Sequence, residues 1–341
     1  MIGVIGAAAF SAALLQARAE ETPQTFPAAL ERYFSGIALI SPLERSSLLS
    51  GSLVTKLLNV DPGNEVAVFG AVWINAPAAR YVERVKDIEH FERGGGFRVT
   101  RRISNPPRLE DFDALALPDA DVEDLKSCRV GNCELKLSAE ALERLRQTID
   151  WSKPTARQDA ESLIRQFALD YVTRYLGGGN QALAVYRDRE RPTFVANEFR
   201  SMVQAMPTFT VFKPQLQSYL LDFPAASLPA STSFLYWQEA QFGLKPTIRI
   251  NHLVIHEDAD SIVVANKQLY ASHYFWTALE LRVLLPDPAR GPGFWFVTVS
   301  RSRSDGLSGF MGRVIRGRVH SEARKGIESA LTATKNALEG H

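Results

Sequence analysis

A chain of 341 residues that is 45% hydrophobic and 23% charged has the composition of a folded globular protein, with enough length for one large or two ordinary domains. Its 39 basic and 38 acidic residues leave a net charge of +1, which argues against a nucleic-acid-binding protein, since that would need a basic excess concentrated on one face. Arg301, Arg303, Arg313, Arg316 and Arg318 form a local basic cluster, and its plainest reading is the solvated start of a helix.

The chain opens on an apolar run, Ile2–Leu15, followed by Ala17-Arg18-Ala19. This matches the small-x-small cleavage rule, so residues 1–19 are expected to be a signal peptide, although no Lys or Arg precedes the run. The expected location of the mature chain is the periplasm or the outside of the cell, as a soluble protein that is free to touch a membrane surface transiently. Residues 20–64 read as an N-terminal helical segment: Ala28–Phe34, then Leu43–Leu58 after Pro42. Asp61-Pro62-Gly63-Asn64 is a stop signal.

Glu65–Asn75 is rich in Val, Ile and Trp and reads as a strand ended by Ala76-Pro77. Ala78–Phe91 follows as a helix with Tyr81, Val82, Val85, Ile88 and Phe91 on one side. A triple glycine, Gly94–Gly96, then leads into the strand Phe97–Ile103. Glycines that follow a helix and precede a strand are in the reverse order from a phosphate-binding loop.

Asn105–Asp124 is loop-like. It leads to the only two cysteines, Cys128 and Cys133, on either side of the turn-forming Val130-Gly131-Asn132. An exported chain should bridge them; free thiols, catalysis and metal binding are the alternatives. None of the six histidines is near enough in sequence to complete a metal site. Residues 138–222 then read as a mostly helical block, with helices over Ser138–Ile149, Thr155–Leu176, Phe194–Met206 and Lys213–Leu221.

The last third reads as strands followed by one long helix. Phe234–Gln241, Thr247–His256, Gln268–Leu285 and Phe294–Ser302 are the strands. Ile315, Val319, Ala323, Ile327, Leu331 and Leu338 carry a helical period over Arg313–Leu338. If Gln268–Leu285 is one strand, Tyr270, Ser272, Tyr274, Trp276, Glu280 and Arg282 share a face and His273 points to the other. His252 and His256 on one strand stand on the order of 13 Å apart, too far for one metal, and no H-E-x-x-H pattern accompanies them. No metal or cofactor is expected.

Ala71-Val-Trp-Ile-Asn-Ala-Pro77 leading into Tyr81-Val-x-x-Val-x-Asp87, together with the closing strands and terminal helix, resembles the START or polyketide-cyclase-like helix-grip superfamily. The likeness covers about residues 65–103 and 230–338. It implies an α+β fold over 65–341, an antiparallel sheet gripping a long C-terminal helix, with 138–222 as a helical insertion. It also implies binding or shuttling of a hydrophobic small molecule, such as a lipid, sterol or aromatic, between sheet and helix. A cyclase- or hydrolase-type enzyme and a structural envelope protein are the alternatives. The chain is also similar to exported bacterial proteins that carry the Asp124–Leu137 cysteine motif and Leu269-Tyr-Ala-Ser-His-Tyr-Phe275.

The expected ligand-binding residues are Trp73, His252, His273, Trp276, Glu280, Arg301 and Arg303. Aromatic rings would supply the wall, and the arginine forks would take a carboxylate or headgroup. For Arg301 and Arg303 the alternative is a salt-bridge network that seats the last helix. A Ser-His-Asp triad from Ser272, His273 and Asp305 is disfavoured, because the first two point to opposite faces and no nucleophile elbow is present.

Overall fold

The computed structural model describes residues 25–340 apart from 62, 94–95, 242–244, 306 and 308, and only the backbone of 309–314. The expected signal peptide lies outside these residues. The chain is α+β, built on an eight-stranded sheet in which every pair is antiparallel. The strands are β1 (Val54–Leu57), β2 (Glu65–Ile74), β3 (Phe97–Arg102), β6 (Ser231–Gln241), β7 (Pro246–Glu257), β8 (Ile262–Ala271), β9 (Phe275–Pro286) and β10 (Phe294–Ser304). Their order across the sheet is β1-β2-β10-β9-β8-β7-β6-β3. The short strands β4 (Val185–Tyr186) and β5 (Thr193–Phe194) form a separate hairpin.

The sheet has two covered faces, and strand alternation assigns each residue to one of them. The front carries Val72, Ile74, Leu253, Val264, Leu284 and Phe296. Against it pack α3 (Ala78–Lys86), α4 (Ile88–Phe91) and the 31-residue terminal helix α11 (Gly309–Glu339). The back carries Phe69, Trp73, Leu281, Val297 and Val299. It is covered by α1 (Ala28–Tyr33), a π turn over Phe34–Ala38, α2 (Pro42–Leu49), α8 (Val195–Gln204), α9 (Pro207–Phe212) and α10 (Pro214–Asp222). At the β6–β7 end of the back, Leu235, Trp237, Ile248 and Ile250 join a second core with α5 (Asp119–Ser127), α6 (Ala139–Thr148) and α7 (Ala156–Gly178). Burial on both faces explains why β2 reads as an almost unbroken apolar run.

Helix α11 lies along the β1–β2 side of the front and meets it through Val319, Ala323, Ile327, Leu331 and Leu338. Leu331 and Leu338 are buried, Ile327 is half-buried and Ala330 is exposed. Gly70 makes this seat possible. A Cβ there would stand 2.7 Å from both Ile327 Cγ2 and Leu331 Cδ1.

Four expectations are corrected. The helix expected over Leu43–Leu58 stops at Leu49; Ser50-Gly51 breaks it, and the β-branched Val54 and Thr55 join the sheet as β1. Ala78–Phe91 is two helices separated at Asp87. The loop-like Asn105–Asp124 contains the start of α5, whose acidic residues Asp119 and Asp121 favour the helix N-terminus.

The fourth correction matters most. Gln268–Leu285 is a hairpin, with a turn at Ser272–Tyr274 and Tyr274 at φ +60°. Its loop has neither Gly nor Pro and is held by distant groups. Ser272 Oγ accepts from the Ile248 amide at 3.0 Å, and its carbonyl accepts from Lys136 N at 2.9 Å.

Candidate functional site

The middle of the front face is polar, although it is built from the same strands that bury apolar side chains on the back. Asn251 of β7 stands in register between Tyr236 of β6 and Gln268 of β8. One step along, Asn266 of β8 faces Glu280 of β9, which faces Ser300 of β10. Arg282 and Thr298 form the next rung, and Thr100, Gln238 and Arg249 continue the belt towards β3.

Several of these groups are buried without partners. Both amide atoms of Asn251 have none among the described residues, nor have Gln238 Oε1, Asn266 Oδ1, Gln268 Nε2 and Thr100 Oγ1. The other halves of two amides are used: Asn266 Nδ2 donates to Tyr236 Oη at 2.7 Å, and Gln268 Oε1 accepts from Arg249 Nε at 3.0 Å. An unsatisfied buried amide costs on the order of 1–3 kcal/mol, so such a row is an unusual thing for a sheet to keep.

Beside the amides, Arg282 makes a bidentate pair with Glu280, at 2.9 and 2.8 Å. Thr298 Oγ1 donates to Glu280 at 3.3 Å, Arg282 Nη1 donates to Tyr81 Oη at 3.3 Å, and Glu92 lies 3.8 Å from Arg282 Nη2. The two carboxyls are driven apart. Burial pushes Glu92 above the usual carboxylate range, and the charge of Arg282 only partly offsets it. Burial also acts on Glu280, but the Arg282 charge and the hydrogen bonds from Arg282 and Thr298 outweigh it and hold this carboxyl below its ordinary value. The pair is therefore asymmetric: Glu92 holds its proton more tightly than Glu280 does.

The structure divides the seven residues expected to bind ligand. Glu280 falls on the front, as β9 alternation requires, whereas Trp276 sits at a register shift, between Thr277 opposite Arg303 and Phe275 opposite Ser304. Trp73 faces the back, where its ring packs on Trp295 at 5.4 Å; it does not look towards α11. Arg301 and Arg303 also face the back, and both bond Glu65. Arg303 also reaches Glu198, and Arg301 Nη1 donates to Ala205 O at 2.7 Å. Their forks are occupied by a salt-bridge network, as the alternative reading had it, but the helix they seat is α8.

His273 lies in the β8–β9 turn. Its Nε2 is 3.0 Å from buried Asp121, and its Nδ1 is 3.1 Å from Glu134 O. This anchors the turn to the segment holding the Cys128–Cys133 disulfide, whose Cα atoms are 4.5 Å apart. Asp305 pairs with Lys136 at 2.8 Å, so Ser272, His273 and Asp305 do not converge as a triad.

His252 faces the back and is buried beneath α7, where its Nδ1 meets Tyr175 Oη at 2.9 Å. Tyr175 in turn accepts from buried Lys267 Nζ at 3.1 Å, and Lys267 also bonds Asn180 Oδ1. No carboxylate pairs with Lys267 among the described residues. Burial drives its pKa well below the usual lysine value, and burial with the nearby Lys267 takes His252 down to about 3.

The amide row was not anticipated from the sequence. Its trace is visible there: Asn251, Asn266 and Gln268 interrupt strands that are otherwise Val, Ile and Leu. No group of three or more His, Cys, Asp and Glu side chains among the described residues is arranged to hold a metal ion. No helix among them is long and apolar enough to cross a membrane. Comparison with known proteins finds no family model and no curated protein that matches the chain.

Proposed function

We propose that the protein binds a small amphiphilic molecule against the front of its sheet, in the manner of the helix-grip proteins that its sequence resembles. The observation that carries this reading is the row of buried, unpartnered amide atoms on Gln238, Asn251, Asn266 and Gln268. These groups oppose folding and are not needed to hold the strands together; a ligand's polar end would satisfy them. The apolar front residues near α3, including Phe234, Leu284 and Phe296, suit the ligand's apolar part. In this reading the helices between β3 and β6 are an insertion in a helix-grip frame whose closing helix is α11. The disulfide and the signal-like start favour export to the periplasm or beyond.

Native mass spectrometry of the purified protein, with solvent extraction of what it carries, tests the proposal. A titration with fluorescent fatty-acid and sterol analogues complements it. Saturable binding that is lost in a folded Asn251→Leu/Gln268→Leu double variant is expected. A protein that carries nothing and takes up no analogue rejects the reading.

The split between Glu92 and Glu280 favours a second reading, an acid–base enzyme using the same face. Two carboxyls of unequal proton affinity beside one arginine can act as acid and base. An enzyme would release a changed molecule, so the compound extracted from the Glu92→Gln variant would differ from that carried by the wild type. A binding protein would carry the same compound in both.

A further inference from the structure

A second recess lies away from the front belt, at the edge of the sheet. β3 pairs with β6 only from Phe97 to Arg102, opposite Tyr236–Ala240, and Ile103 N reaches Leu235 O at 2.9 Å before the chain turns away. The stretch Ser233–Leu235, where the β3 pairing ends, forms one wall of a cavity of about 480 Å³, within the range of small-molecule sites. Arg102, Asp111, Ser104, Phe223, Phe234 and His252 are among its lining.

The polar lining separates into groups already used and groups left for a ligand. Asp111 is used: its Oδ2 accepts from Ser104 N at 3.1 Å, Ser104 Oγ at 2.8 Å and Arg108 N at 2.8 Å. Arg102 is not paired with any carboxylate among the described residues. Its guanidinium stacks over the Phe234 ring at 4.2 Å and spends one donor on Lys86 O at 3.3 Å. An arginine held over an aromatic ring beside a recess, with donors to spare, is a seat for an oxyanion.

The deepest polar group is His252, and its hydrogen-bonding sense is fixed from behind. Lys267 donates to Asn180 Oδ1 and to Tyr175 Oη, so the Tyr175 hydroxyl proton turns to His252 Nδ1. With Lys267 as the donor, this relay assigns the proton of the neutral ring to Nε2. No described side chain or carbonyl takes Nε2–H, which is left for the cavity. Gly179, at φ +56°, lets this arrangement close, because a Cβ there would stand 1.6 Å from Phe223 O. The neighbouring Asn180 is tied to Leu220 O at 2.9 Å and Leu221 O at 2.6 Å, which holds the chain leading to Phe223.

We infer that this cavity is a binding site for a small organic acid whose carboxylate meets Arg102. Its apolar body lies along Phe223 and Phe234, and a carbonyl or hydroxyl oxygen at its far end accepts from His252 Nε2–H. The site adjoins the front face at Phe234 and uses none of the amide groups of the front belt.

Calorimetric titration of the full chain with 4-acetylbenzoate, 6-oxoheptanoate and the uncharged 4-acetylbenzamide tests it, with ¹⁵N NMR of the histidine rings. At least one keto acid saturates a single site, the amide binds at least tenfold more weakly, and Arg102→Met weakens the acid tenfold or more. The spectrum of the free protein shows His252 as the Nε2–H tautomer, and its Nε2 signal moves on binding. This readout needs no His252 variant and so does not depend on one folding. Asn251→Leu leaves the affinity unchanged. The inference is overturned if neither acid saturates, if Arg102→Met binds as tightly as wild type, if the His252 signals stay still, or if Asn251→Leu abolishes binding.

Discussion

On the back of the sheet, Leu279, Leu281, Val283, Leu285, Val297 and Val299 interdigitate with the N-terminal helices and α8–α10. The charged side chains that intrude there are partnered: Glu65 takes both Arg301 and Arg303, and Lys267 has Tyr175 and Asn180. On the front, the same strands place Asn251, Asn266 and Gln268 at equally buried positions and leave amide atoms open. Strand propensity and the hydrophobic effect act alike on both faces, so they do not explain the difference. The back is what folding requires. The front carries polar groups that folding would be better without, and the proposed binding role of this face rests on them.

This contrast is broken most directly by cutting into each face. Leu281→Ala on the back should lower unfolding free energy by about 3 kcal/mol in a urea titration, through lost burial and the cavity left behind. A loss below about 1 kcal/mol would mean that the back core collapses around the gap and is not the sheet's main support. Gly70→Ala probes the front where α11 sits. The added methyl meets Ile327 and Leu331, so overpacking should cost about 1–3 kcal/mol and loosen the helix, read as faster amide exchange along α11. Replacing Cys128 and Cys133 by Ser should cost about 2 kcal/mol in the chain-entropy model, because the loop they close is short.

Much of the fold was legible in the sequence because its signals are local. The runs over Glu65–Asn75 and Phe294–Ser302, and the helical spacing that ends at Leu331 and Leu338, need only periodicity. The disulfide was legible from the turn residues between its cysteines. The β8–β9 turn was not, because Ser272 and His273 are held by Ile248, Lys136, Asp121 and Glu134, all distant in sequence. Reading through that turn hid the start of β8, and with it the position of Asn266 opposite Glu280. Trp73, Arg301 and Arg303 had the right chemistry for a ligand wall, but alternation gives relative faces only. Which face meets the terminal helix is decided by tertiary packing at Gly70.

Acid titration sharpens the comparison within the front itself. Glu92 holds its proton more tightly when folded than when unfolded, so the native state binds more protons across the window above the ordinary glutamate pKa. Stability should therefore fall as pH rises through that window, and Glu92→Gln should remove this part of the slope. Glu280 acts in the opposite sense. Its folded pKa is depressed, so its contribution is present above the unfolded pKa and is lost as pH falls through the folded one. Urea midpoints at a series of pH values for wild type and Glu92→Gln separate the two. An unchanged slope in the variant would mean that Glu92 ionises normally and that the acid–base reading lacks its acid.

The smallest expected change in stability is the most telling. Asn251 is fully buried, and neither of its amide atoms has a partner among the described residues. Leucine has the same branched heavy-atom skeleton, exchanges two unsatisfied polar atoms for methyl groups, and keeps the strand register with Tyr236 and Gln268. Removing an uncompensated buried amide should leave stability unchanged or raise it by about 1 kcal/mol, the reverse of what a core substitution does. Binding on the front should be lost in the same variant, so stability and function move in opposite directions. If Asn251→Leu instead destabilises as Leu281→Ala does, with a comparable fall in the urea midpoint, Asn251 is satisfied in solution by structural water. The front belt is then part of the folding core, and the distinction between the two faces disappears.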